Sequence, residues 1–91
     1  MMTTKVENMV GRSGRAVVNQ FVIQTPEGLY FQSYSTVIAV KPLSGPVQLD
    51  REAWDYSRTT GKYRNQFLGE MKAETERKIA SGEYVLADLN G

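Results

Sequence analysis

From Ala16 to Leu49 the chain is a series of short β-branched and aromatic runs, closed by proline, glycine or, at Ser35-Thr36, a short polar bend. That pattern admits sheet and little else. In Ala16–Thr25, Val17, Phe21 and Ile23 share one parity while Val18 and Val22 share the other, which predicts a strand covered on both faces. Pro26-Glu27-Gly28 follows; proline presets the first turn angle and glycine accepts a positive one, so a short hairpin is expected. Leu29–Tyr34 then returns antiparallel, with Tyr30 and Tyr34 on the parity opposite to Leu29 and Phe31. Ser35-Thr36 reads as a bend and Val37–Lys41 as a further strand, limited by Pro42. After the Ser44-Gly45-Pro46 turn, Val47–Leu49 suffices for a short strand only. Upstream, Met9–Arg15 reads as a flexible loop leading into the sheet.

The second half changes period. Asp50 is placed to cap a turn over Arg51–Trp54. A helix is expected to begin after Thr59, whose hydroxyl would accept an early amide, and to stop at Gly69. Tyr63 and Phe67, four residues apart, share one face of it. Another helix is expected near Lys72–Ser81, ended by Gly82, with Met71, Thr75 and Ile79 inward and Glu74 spaced to meet Lys78. Glu83–Leu89 closes the chain as a strand with Val85, Ala87 and Leu89 on one face. The expected fold is α+β: a twisted antiparallel sheet, short helices in the C-terminal half and a final strand. Residues 1–91 make a single compact domain with a flexible lead-in through residue 15.

Composition removes whole classes of chemistry. The chain has no cysteine and no histidine, so thiolate or imidazole metal sites and the usual nucleophile–base pairs have no residues to build them. Asp50, Glu52 and Asp55 are close in sequence, but a hard cation needs more oxygen ligands at set spacing. The expectation is therefore a non-enzymatic protein without cofactor or metal. A net charge of +1 gives no global field, so any electrostatic recognition must be local. The apolar runs are too short for a membrane span, and Met1–Lys5 lacks the apolar stretch of a signal peptide, so no membrane partner is expected.

Local charge is concentrated in Trp54–Gly69, which combines aromatics with Arg58, Lys62 and Arg64. Near a helix start, Arg58 and Lys62 flank amides that attract anions, and a phosphate near Thr59, Thr60 and Lys62 is one reading. Plain capping with a solvated basic rim is the other. The Gly11–Arg15 turn adds Arg12 and Arg15, which join this surface only if the fold brings the two segments together. Arg12, Arg15, Arg58, Lys62 and Arg64 thus form the candidate nucleic-acid set. Tyr30, Tyr34, Tyr56, Arg58 and Lys62 form the candidate protein-binding set, since tyrosine supplies apolar area with a polar tip.

The run Trp54–Leu68, together with Ile79–Tyr84, Asp88–Asn90, Asn19–Phe21 and Tyr30–Tyr34, resembles a family of small, mostly uncharacterised bacteriophage proteins. The resemblance spans nearly the whole chain and carries no catalytic residues. It implies a phage accessory protein acting in the host cytoplasm by binding a host or phage protein, with inhibition of host defence as a concrete form. A small nucleic-acid-binding protein and a self-assembling component, a homo-oligomer, are the alternatives.

Overall fold

A computed structural model describes residues 4–91. Six strands form one sheet in sequential order: β1 (Lys5–Val10), β2 (Ala16–Thr25), β3 (Gly28–Ser33), β4 (Thr36–Pro42), β5 (Gln48–Asp50) and β6 (Val85–Ala87). Two helices, α1 (Arg58–Leu68) and α2 (Lys72–Ser81), lie between β5 and β6. The α+β expectation holds. The first five strands are antiparallel, but β6 runs parallel to β5, which departs from a wholly antiparallel sheet. A parallel neighbour needs a long crossover, and residues 51–84 with both helices supply it.

Met9 and Val10 belong to β1, so the expected flexible lead-in is a strand from Lys5 onward. Only residues 11–15 remain as a turn, closed by Gly11 N donating to Arg15 O and Gly14 N to Gly11 O, both at 3.0 Å. The hairpin after β2 is as expected, with Gly28 at φ 147°. A Cβ there would stand 2.3 Å from the Lys41 carbonyl oxygen, so only glycine fits.

The register defines two faces. Val22, Phe31, Ala39, Leu49 and Leu86 form one cross-strand row, and the core gathers on it with Tyr63, Phe67 and Tyr84. Phe31 meets Phe67 with ring centroids 5.7 Å apart. The adjacent row, Val6, Ile23, Tyr30 and Val40, belongs to the opposite face and takes no part in this core. Val17 packs on the core side with Val22, although sequence parity separates it from Val22. The cause is Asn19, whose φ of 65° resets the alternation of β2.

Other expectations shift by one or two residues. α1 is capped by Ser57, whose hydroxyl accepts from Thr60 N at 3.1 Å, and not by Thr59. Thr60 is buried with its hydroxyl 3.3 Å from that of Ser33, tying the helix start to β3. Met71 precedes α2 and is 72% exposed, leaving Thr75 and Ile79 as the inward residues. Lys78 meets Glu70, at 2.8 Å, while Glu74 pairs with Arg77. In β6 it is Leu86 that packs inward and Val85 that is exposed, the reverse of the expected parity.

Candidate functional site

Ser57 is extended at φ −150° and turns the chain into α1, its hydroxyl accepting from Thr60 N and its carbonyl from Gly61 N. The first turn contains no acidic residue. The β1–β2 turn is drawn to this helix by Gln66, whose Nε2 donates to the Val10 carbonyl at 2.9 Å. Arg12 thereby meets α1 across more than forty residues of chain. A cleft of about 710 Å³ results, lined by Arg12, Asp55, Tyr56, Ser57, Arg58, Gly61, Lys62, Arg64, Asn65, Met71 and Lys72. Five cations stand against one carboxylate, so a chain that is nearly neutral overall is locally basic.

Arg64 is no rim residue. It is 1% exposed and forms part of the cleft wall. Its Nη1 donates to the Trp54 carbonyl at 2.8 Å and to Asp55 Oδ1 at 3.1 Å, and Nη2 donates to Asn65 Oδ1 at 3.0 Å. The guanidinium carbon lies 5.2 Å from the Trp54 ring centroid, a cation–π distance. Its Nε–H has no acceptor among the described residues. Asp55 also binds Lys72 Nζ at 2.6 Å. Burial works to raise the Asp55 pKa, but the bonds from Lys72 and Arg64 outweigh it and hold the carboxyl below its usual range.

Arg12, Arg58 and Lys62 are exposed and have no carboxylate partner among the described residues. Of the candidate nucleic-acid set, the fold brings Arg12, Arg58, Lys62 and Arg64 together and leaves Arg15 outside the lining. Of the candidate protein-binding set, Tyr56, Arg58 and Lys62 share the cleft. Tyr30 lies on the sheet face opposite the core, and Tyr34 is not in the strand but in the β3–β4 turn at φ 55°. Thr60, expected beside a phosphate, is consumed by the contact with Ser33.

Lys72 was not signalled by spacing, and Asp55 stood out only as one of the close acidic set with Asp50 and Glu52. Lys72 arrives only because α2 turns back towards Asp55, a tertiary fact with no trace in either segment alone.

Tyr56, 52% exposed, lines a second cleft as well, with Thr36, Asp50, Glu52, Asp88 and Asn90. Its carboxylates do not form a metal centre: among the described residues no group of three or more acidic side chains is placed to hold an ion. Asp50 is spent on structure, accepting from Ala53 N and Leu89 N at 2.9 Å each and from Glu52 N at 3.2 Å. No helix among the described residues is long and apolar enough to cross a membrane.

A family of unknown function (DUF8033) matches residues 4–83, and the chain belongs to that family. No curated protein and no solved structure matches it.

Proposed function

We propose that the chain is a non-enzymatic phage accessory protein that binds nucleic acid through the basic cleft at the start of α1. The observation that carries this reading is that Arg12, Arg58, Lys62, Arg64 and Lys72 line one cleft together with the exposed Tyr56. Of these, Arg12, Arg58 and Lys62 are exposed and have no carboxylate partner among the described residues, so they are the ones that attract phosphates, and the exposed Tyr56 offers a platform on which an unpaired base stacks. This favours a single strand, whose bases are free to turn outward. Titration of labelled single- and double-stranded oligonucleotides across salt concentration tests it. Three free cations give a slope of log K against log salt of about −2 on a single strand. No binding to either at low salt would overturn the reading.

A second reading takes the partner to be a host or phage protein, with inhibition of host defence as its concrete form. It draws support from the half-buried Ile23 and Tyr30, paired on the sheet face opposite the core, and from the exposed Tyr34. Capture from nuclease-treated infected lysate separates the two. This reading requires one stoichiometric protein that is lost with Tyr30→Asp and retained with Arg58→Met. A self-assembling component would instead gain mass with concentration in light scattering.

A further inference from the structure

We infer that the basic cleft holds one unpaired base between the Tyr56 ring and the Met71 thioether, a two-sided clamp that sets a preference for single strands and accepts any base. The inference rests on the nucleic-acid reading of the same cleft and adds the second contact surface that a stacked base needs. Tyr56 and Met71 both line that cleft, and each leaves more than half of its surface open to solvent. Single exposed apolar side chains are ordinary on a protein. Two that share one cleft with unpaired cations offer a ligand apolar contact and charge together.

Met71 breaks a local rule to be there. It occupies the N-cap of α2, extended at φ −90° and ψ 163°, and its side chain makes no capping hydrogen bond. Serine, threonine, aspartate or asparagine at this position would accept an early amide of the helix, as Ser57 does for α1. Methionine forgoes that bond and gains no burial in return, since Thr75 and Ile79 are the inward residues of α2. A residue that serves neither the helix start nor the core marks a functional position. Its thioether is flexible and polarisable and packs against aromatic rings of differing size. Tyr56 supplies the rigid opposing surface, with few rotamers to lose.

Charge and stacking then contribute separately. Arg12, Arg58 and Lys62, exposed and without carboxylate partners among the described residues, draw phosphates, and salt weakens that attraction. Stacking is insensitive to salt and tolerant of sequence, because every base has a π face. In a duplex both faces of an internal base are already covered by its neighbours, so the clamp has nothing to grip.

The test titrates a thymidine decamer and an all-abasic decamer with the same number of phosphates across salt concentration, with a uridine decamer to distinguish RNA from DNA as the source of the base. The better of the two base-bearing strands is expected to bind about tenfold more tightly than the abasic one. Met71→Ser should weaken that strand about three- to tenfold, by the same factor at every salt concentration, and leave the abasic strand unaffected. Met71→Leu should restore most of the loss. Arg58→Met should instead flatten the salt slope by about 0.7 for every strand. Because Met71→Ser supplies a capping hydroxyl, its thermal melt should not fall below that of the native chain, which separates a lost contact from a lost fold. Equal affinity of the native protein for base-bearing and abasic strands would overturn the clamp while leaving phosphate attraction, and the nucleic-acid reading, intact. A Met71→Ser protein that keeps native affinity would also overturn the clamp. No binding of any strand at low salt would overturn both.

Discussion

Asp55 Oδ1 lies 3.1 Å from Arg64 Nη1, so a carboxylate is the resident partner of the buried cation in the cleft wall. The same carboxylate holds Lys72, so one negative charge damps two of the five positive ones. Asp55→Asn keeps the shape and an acceptor oxygen but removes that charge. Anion affinity should rise roughly three- to tenfold, the scale of one partly screened unit charge at the edge of a protein. Calorimetric titration with a single-stranded oligonucleotide measures it. An unchanged or weaker affinity would mean that Asp55 positions Arg64 more than it competes for it.

The start of α1 makes a sharper prediction because two hydroxyls compete for the role of cap. Ser57 Oγ accepts from Thr60 N, whereas Thr59 is exposed within the first turn. Ser57→Ala should cost about 1 kcal/mol, the ordinary value of a lost N-cap. Thr59→Ala should be near neutral or slightly stabilising, since alanine is the better helix former. Urea unfolding of both variants decides between them.

Asn19 is a left-handed residue inside a strand, with φ 65° and its carbonyl accepting from Tyr34 N at 2.7 Å. Asparagine tolerates this region better than other side chains, and a β-branched residue tolerates it least. Asn19→Gly should be neutral or mildly stabilising, whereas Asn19→Val should cost about 1–2 kcal/mol. Should valine be accepted without loss, the left-handed backbone at Asn19 would not be what places Val17 and Val22 on the same face.

These positions also mark where the sequence could be read and where it could not. Strand β2 was legible from Ala16 to Thr25, because a continuous β-branched run between turn residues leaves few alternatives. The ends of both helices were legible too: Gly69 and Gly82 each adopt the left-handed C-cap. The faces were harder. One left-handed asparagine moves Val17 to the core side, and parity counted along the string has no means to register it. The parallel pairing of β6 was hidden for a related reason, since a three-residue strand has no hydrophobic period of its own and takes its partner from the crossover. In the site, Arg58 and Lys62 were legible as neighbours on one helix. The arrival of Arg12 and Lys72 depends on the Gln66–Val10 bond and on the return of α2, both long-range events.

Gly28 offers the most severe prediction. Its φ of 147° and the 2.3 Å approach of a would-be Cβ to the Lys41 carbonyl put two penalties on any side chain. The hairpin also anchors the following loop through Leu43 N donating to the Glu27 carbonyl at 2.9 Å. Gly28→Ala should therefore cost about 3 kcal/mol or more, which combines a sterically forbidden contact with backbone strain. Gly45→Ala is the control, because nothing lies within 4 Å of its Cβ position and only its φ of 95° is strained. Equal losses in the two variants would locate the whole effect in the backbone.

Acid sensitivity should trace to Glu70. Its side chain is 7% exposed and accepts from Lys78 Nζ at 2.8 Å, Tyr84 Oη at 2.9 Å and Thr75 Oγ1 at 2.6 Å. Burial works to raise its pKa, yet these bonds dominate and hold it below the ordinary 4.5. A carboxyl depressed in the folded state contributes stability that is present above its unfolded value and lost as pH falls through its folded value. Lys78 is shifted the opposite way, raised by the bond to Glu70, so its share is present below the ordinary 10.5 and lost only at strongly alkaline pH. With no histidine and no cysteine in the chain, no side chain of ordinary pKa titrates near neutral pH, and stability should be flat across that range. Glu70→Gln should cost about 1–3 kcal/mol at pH 7, the scale of charge-assisted hydrogen bonds. The gap to the native protein should narrow steadily as pH falls below the ordinary carboxylate range. Urea unfolding at stepped pH reads this directly; a gap that stays constant into strong acid would show that Glu70 acts through packing and neutral hydrogen bonds instead of charge.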